Sequence, residues 1–120
     1  MPAVDYYVVL FTSQRTPGDD EGYAAMAQRM LELAAEQPGY LGVESVRDEQ
    51  GLGITASYWA NRESIHVWGN QTEHQLAQQL GKQKWYEYFR LRIGKVETES
   101  FFPATNDATK FPPSSTLPQT

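Results

Sequence analysis

Residues 4–12 read VDYYVVLFT, and both of their alternating sets are apolar: Tyr7, Val9 and Phe11 on one side, Tyr6, Val8 and Leu10 on the other. A run this rich in β-branched and aromatic side chains is a strand. A strand with one face in water alternates apolar with polar, so this one has to be covered on both faces. A chain of 120 residues makes one domain with one layer of helices to offer. The second cover then comes from outside the domain, and the simplest candidate is a second copy of the same sheet, which predicts a homodimer.

The rest of the chain supplies the helices and the remaining strands. SQRTPGDDEG is a turn-rich loop in which Asp19 or Asp20 is placed to cap a helix. Tyr23, Met26, Ala27, Met30, Leu33 and Ala34 then recur at helical spacing through Glu36, and Pro38-Gly39 stops them. Tyr40 to Val46 and Ile54 to Trp59 read as two strands joined by the hairpin connection RDEQGLG. Asn61 can cap a short helix, RESIHVW, and Asn70 with Glu73, or Thr72 with Gln75, can open a longer one. In that longer helix Leu76, Ala77, Leu80 and Gly81 are expected to face the core, with His74, Trp85 and Tyr88 along one edge. Arg90 to Phe102 is a final, half-polar strand. The order strand, helix, strand, strand, helix, strand predicts an α+β domain over residues 1–102. Its fold is ferredoxin-like βαββαβ, a four-stranded antiparallel sheet with two helices on one face. Residues 103–120 are rich in Pro, Ser and Thr and read as a C-terminal tail or arm, with Phe111 and Leu117 as its anchors.

Charge and composition exclude several classes of function. A net charge of −5 without a Lys/Arg-rich run is unsuited to neutralising phosphate, so nucleic acid is not an expected partner. With no cysteine there is no disulfide, thiolate nucleophile or cysteine metal site, and two unpaired histidines do not make a transition-metal site. Phosphate-binding glycine loops, dinucleotide fingerprints and hydrolase triads are absent. The segment MPAVDYYVVLF carries an acid where a signal peptide would be basic, and its apolar run is too short to span a bilayer. A cytoplasmic protein with no membrane partner is expected.

One stretch concentrates the chemistry. All three tryptophans and both histidines fall between Trp59 and Trp85. Aromatic rings with a few titratable groups are what small-molecule sites are made of, although such rings also fill small cores. The polar Thr55 and Ser57, on the strand face that ends in Trp59, suit a pocket wall better than a dry core. Thr55, Ser57, Tyr58, Trp59, Trp68 and Trp85 are therefore candidate ligand-binding residues. His74 is either a proton carrier or a helix-start histidine bonded to solvent or backbone, and His66 reads as a surface residue. Arg92, beside Arg90, either stabilises a ligand anion or pairs with acids such as Glu44 or Glu99.

The segments QPGYLGVESVRDEQGLGITASYWANRESIHVW and GKQKWYEYFRLRIGKVE resemble the antibiotic biosynthesis monooxygenase family, a branch of the dimeric α/β barrel superfamily, over roughly residues 4–102. The resemblance implies a homodimer and, where the protein is an oxygenase, oxidation of a phenol- or hydroquinone-like aromatic without a cofactor. His74 would then move the proton and Arg92 stabilise the anion. The branch that oxidises polycyclic phenols is similar in placing a Trp at Trp59, but its accompanying Asn, Tyr and Arg fall near Thr55, Ile65 and Gln79. The haem-degrading branch places a Trp at Trp68 and its histidine near Gln78, one helical turn from His74. A non-catalytic small-molecule or haem-binding module is the alternative that the resemblance leaves open.

Overall fold

The computed structural model describes residues 3–103. Its elements are β1 (Ala3–Arg15), α1 (Asp20–Ala35), β2 (Tyr40–Arg47), β3 (Leu52–Trp59), α2 (Arg62–Gly69), α3 (Thr72–Leu80), a π-helical turn (Gly81–Trp85) and β4 (Tyr86–Thr98). The strands form one antiparallel sheet in the order β2-β3-β1-β4, the ferredoxin-like arrangement, with helices on one face. Among the described residues no helix is long and apolar enough to cross a membrane. The expected anchors Phe111 and Leu117 lie outside the described residues.

Register decides which residues share a face. Tyr7 stands opposite Trp59 and Lys95, Val9 opposite Ser57 and Ile93, and Phe11 opposite Thr55 and Leu91. On β2, Val43 faces Ser57 and Ser45 faces Thr55. These odd-numbered positions point toward the helices, where Leu33, Ala34, Trp59 and Trp68 form the buried core. Apart from Tyr40 and Tyr86, which lie beyond shifts in register, the even-numbered positions form the other face, on which no described helix packs. There Val46 is 63% and Ile54 46% exposed.

Local chemistry sets the boundaries, with some corrections to the sequence reading. The β2–β3 hairpin closes as expected: the Asp48 carboxylate accepts from the amides of Gln50 (2.9 Å) and Leu52 (3.0 Å), and Gly51 takes the left-handed conformation at φ +94°. Asn61 caps α2 through its side chain, which accepts from the Ser64 amide at 2.8 Å. α3, however, has its N-cap at Gln71, between the two expected positions, and the Gln71 Oε1 accepts from the His74 amide at 3.0 Å. Asp19 holds the N-cap position of α1 but makes no side-chain cap. Its carboxylate is drawn away to Trp85 Nε1 (3.0 Å) and Lys84 Nζ (2.8 Å).

The long second helix is shorter than expected. After Leu80 the backbone widens into the π-helical turn, and β4 begins at Tyr86, four residues before the predicted start. β1 extends to Arg15, which pairs with Tyr86, while Thr16 donates its amide to the Trp85 carbonyl (2.8 Å) and its hydroxyl to that of Lys84 (2.7 Å). Those bonds pull the segment into the sheet. α3 is also rotated relative to the expectation. Leu76 is 57% and Leu80 37% exposed, whereas His74, Ala77 and Gln78 line the interior and Gly81 is buried against the Tyr86 ring. The inward stripe is thus His74, Ala77, Gln78 and Gly81, at i, i+3, i+4 and i+7.

Candidate functional site

A cavity of about 460 Å³ lies between the helix-side face of the sheet and the helices. α1 contributes Tyr23, Met26, Ala27 and Met30, the stripe read from the sequence as helical core. Beside it opens a hollow of about 390 Å³ lined by Arg62, Glu63, Ile65, His66 and Ile93. Ile65, His66 and Ile93 belong to both, so the cavity reaches the surface at α2 and the edge strand β4.

One end of the cavity is an aromatic stack. Trp59 is fully buried and donates its Nε1–H to Ser57 Oγ at 2.9 Å. That bond explains a polar residue beside the ring, because a buried indole N–H needs an acceptor. Trp68 stacks on Trp59 with centroids 6.1 Å apart and planes at 26°, and Tyr40 meets Trp59 edge-on at 5.5 Å. His74 lies 4.5 Å from the Trp68 centroid. Its Nε2 is 3.1 Å from the Gln78 amide nitrogen, while its Nδ1 is buried without a hydrogen-bond partner. Burial pushes the imidazole pKa below its ordinary value, so His74 is neutral near pH 7. In the middle of the cavity, Ser45 and Thr55 hydrogen-bond to each other at 2.7 Å across β2 and β3.

The far end is built differently. The Arg47 guanidinium donates to the Ser13 carbonyl (3.2 Å), the Gly51 carbonyl (2.6 Å), Ser13 Oγ (2.9 Å) and the Tyr23 hydroxyl (2.9 Å). Tyr86 donates to the same Tyr23 oxygen at 3.3 Å, and burial raises the Tyr86 pKa. Phe11, Trp85 and Phe89 complete this end.

Thr55, Ser57, Trp59, Trp68, His74 and Trp85 therefore share one cavity. Tyr58 and Arg92 do not join them. Tyr58 pairs with Val8, and Arg92 with Leu10, both on the face away from the helices. Neighbouring strand residues point to opposite faces, so a cavity that holds Trp59 cannot also hold Tyr58. Tyr58 instead donates to Glu44 at 2.7 Å, and Tyr6 donates to Glu99. Burial and these carboxylates raise both phenol pKa values. The acids proposed for Arg90 and Arg92 are thus engaged with tyrosines. His66 is exposed at the cavity mouth, near Asn70 Nδ2 at 3.1 Å. The sequence reading missed Gln78, Ser45, Tyr86 and the Arg47–Ser13–Tyr23 group. Ser13, Ser45 and Arg47, polar positions on otherwise apolar strand faces, were the available signal. Among the described residues no cluster of His, Cys, Asp or Glu could hold a metal ion.

Comparison with known proteins agrees with this architecture. Residues 6–80 match the antibiotic biosynthesis monooxygenase family. The chain is 47% identical over 107 residues to the uncharacterized protein YqjZ of Bacillus subtilis, spanning 88% of this chain and 93% of that one. It is 24% identical over 94 residues to the jasmonate monooxygenase ABM of Pyricularia oryzae, spanning 75% of this chain and 43% of that longer protein. The crystal structure of SnoaB, a cofactor-independent oxygenase from Streptomyces nogalater, superposes with a TM-score of 0.63 at 13% identity, over 84% of this chain and all of the other.

Proposed function

The chain belongs to the antibiotic biosynthesis monooxygenase family, and from that premise we propose that it is a cofactor-independent monooxygenase of a small phenol- or hydroquinone-like aromatic. The observation that carries this reading is the cavity itself: about 460 Å³, faced by three indoles, with a neutral imidazole in its wall. Trp68 and Trp85 would hold the flat ring with Trp59 stacked behind Trp68, and Thr55 and Ser57 would supply the polar edge. His74 would accept the phenol proton at Nε2, the substrate hydroxyl taking the place of the Gln78 amide. A phenolate in a site shielded from water is electron-rich enough to react with oxygen directly. One oxygen atom enters the ring carbon para to the hydroxyl and the other leaves as water with the two displaced hydrogens. The phenol becomes a quinone with no other electron donor. The likeness to SnoaB, an oxygenase without a cofactor, supports this class of chemistry. A haem-binding reading has less support, because the His74 ring packs on Trp68 with centroids 4.5 Å apart.

On this reading the active unit is a homodimer in which the exposed apolar face of the sheet meets its copy. The functional test is oxygen uptake with a panel of naphthols and naphthohydroquinones under air, corrected for uncatalysed oxidation. The wild type is expected to accelerate uptake for at least one member. His74→Ala is expected to lose about 100-fold of that acceleration, the scale of a general base. Unchanged turnover in His74→Ala would remove the imidazole from the chemistry.

A further inference from the structure

The end of the cavity opposite His74 has an unused donor. Tyr23 stands on α1 with its ring among aromatic edges, 6.0 Å from Trp85 and 5.8 Å from Tyr86. Its hydroxyl oxygen accepts from Arg47 Nη2 and from the Tyr86 hydroxyl. A phenol oxygen has two lone pairs and one proton, so two accepted bonds leave only the proton to give. That proton has no acceptor among the described residues, and Tyr23 lines the cavity. Here the geometry requires a ligand or solvent oxygen to complete the group.

The surroundings favour an oxygen that carries negative charge. The Arg47 guanidinium sits directly behind the phenol oxygen, and that of Arg15 lies 4.0 Å from the centre of the Tyr23 ring. The nearby acids are committed elsewhere: Asp20 to Arg15 at 3.0 Å on the exposed side, and Asp19 to Lys84 and Trp85. A donor backed by cations, in an apolar wall, binds an anionic oxygen more strongly than a neutral one.

We propose that Tyr23 is the specificity-determining residue for a carboxylate or phenolate oxygen of the aromatic ligand, held at the end of the cavity away from His74. The Arg47 end is marked on the sheet by the Ser13–Gly53 pair and the indole end by the Tyr7–Trp59 pair, six residues apart along β3. That spacing is on the order of 20 Å of strand. The favoured ligand is accordingly elongated: an aromatic body with an anionic oxygen at one end and its reacting ring toward Trp59, Trp68 and His74. This inference rests on the cavity being an aromatic-binding site.

Quenching of tryptophan fluorescence tests it, because all three tryptophans line the cavity. The full-length protein, Tyr23→Phe and Arg92→Gln are titrated with 1-naphthoate and with 1-methylnaphthalene, after circular dichroism shows that each variant is folded. The wild type and Arg92→Gln, whose altered residue lies on the other face of the sheet, should both prefer naphthoate. Tyr23→Phe should lose at least about tenfold of naphthoate affinity, the scale of a hydrogen bond to a charged acceptor, and keep that for methylnaphthalene. Methylnaphthalene binding without a naphthoate preference, or a preference that survives in Tyr23→Phe, would overturn the role of Tyr23 and leave the aromatic cavity standing. Saturable binding of neither probe would overturn the cavity reading, and this inference with it.

Discussion

The two faces of this sheet are made from alternate residues of the same four strands, yet they are finished differently. The helix-side face is closed at its centre, where Trp59 is fully buried with its N–H bonded to Ser57 and Ser45 and Thr55 bond to each other, and it opens at the β4 edge, where Leu91 and Ile93 are exposed. The opposite face leaves Val46, Leu52, Ile54 and Tyr88 exposed, beside tyrosines bonded to Glu44 and Glu99. One face holds a ligand-sized space inside the chain. The other holds an apolar surface that no described element covers. On the proposed function, the exposed apolar face is where a second copy would dock and the polar groups inside are the edge a ligand would meet.

The largest effect is expected where the second face is disturbed. Ile54→Lys would place a charge in the proposed interface twice, once from each subunit, at a cost of several kcal/mol per buried ion. The wild type is expected to sediment as a dimer at micromolar concentration and the variant as a 13.6 kDa monomer. A wild type that itself sediments as a monomer would show that the exposed face is not an interface.

The helix-side face should instead respond in stability. Trp59→Ala removes the one large side chain that is fully buried among the described residues and takes from Trp68 and Tyr40 their ring contacts with it. Such a truncation costs about 3–5 kcal/mol in urea unfolding. If it costs under about 1 kcal/mol, the stack is loose filling and not the floor of a site. A smaller loss, about 1 kcal/mol, is expected for Asn61→Ala, which takes the cap from α2 and loosens the helix that presents Trp68. Asn61→Asp keeps an acceptor there and should recover most of it.

How much of this was legible follows from what each signal encodes. The two-sided apolarity of Tyr6 to Phe11, the α1 stripe and the Asp48–Gly51 turn are local patterns, and each gave its element correctly. The rotation of α3 was not legible, because a periodicity argument assigns leucines to the inside. Here Leu76 and Leu80 point out, while His74 and Gln78 point in, toward a space and not toward a packed core. Alternation grouped Arg90 with Arg92 correctly. Only the pairing of Leu10 with Arg92 reveals that their face is the one without helices. Tyr23 looked like one more ring in an apolar stripe. Its significance depends on Arg47, 24 positions away, arriving at its hydroxyl.

The smallest predicted effect separates the two faces by pH. His74 is the buried imidazole of the cavity, and burial lowers its folded-state pKa below the ordinary value near 6.5. As pH falls through that ordinary value, the unfolded chain takes up a proton that the folded chain still refuses. Stability therefore decreases with falling pH, and the decrease stops once the folded imidazole is itself protonated. Above the ordinary value the group contributes no pH dependence. His74→Gln should flatten part of the decline in unfolding free energy on going from pH 7 to pH 5. If the His74→Gln and wild-type curves stay parallel, the imidazole is not held neutral by burial. The cavity wall would then be as wet as the face without helices, and a neutral base at that position would lose its physical cause.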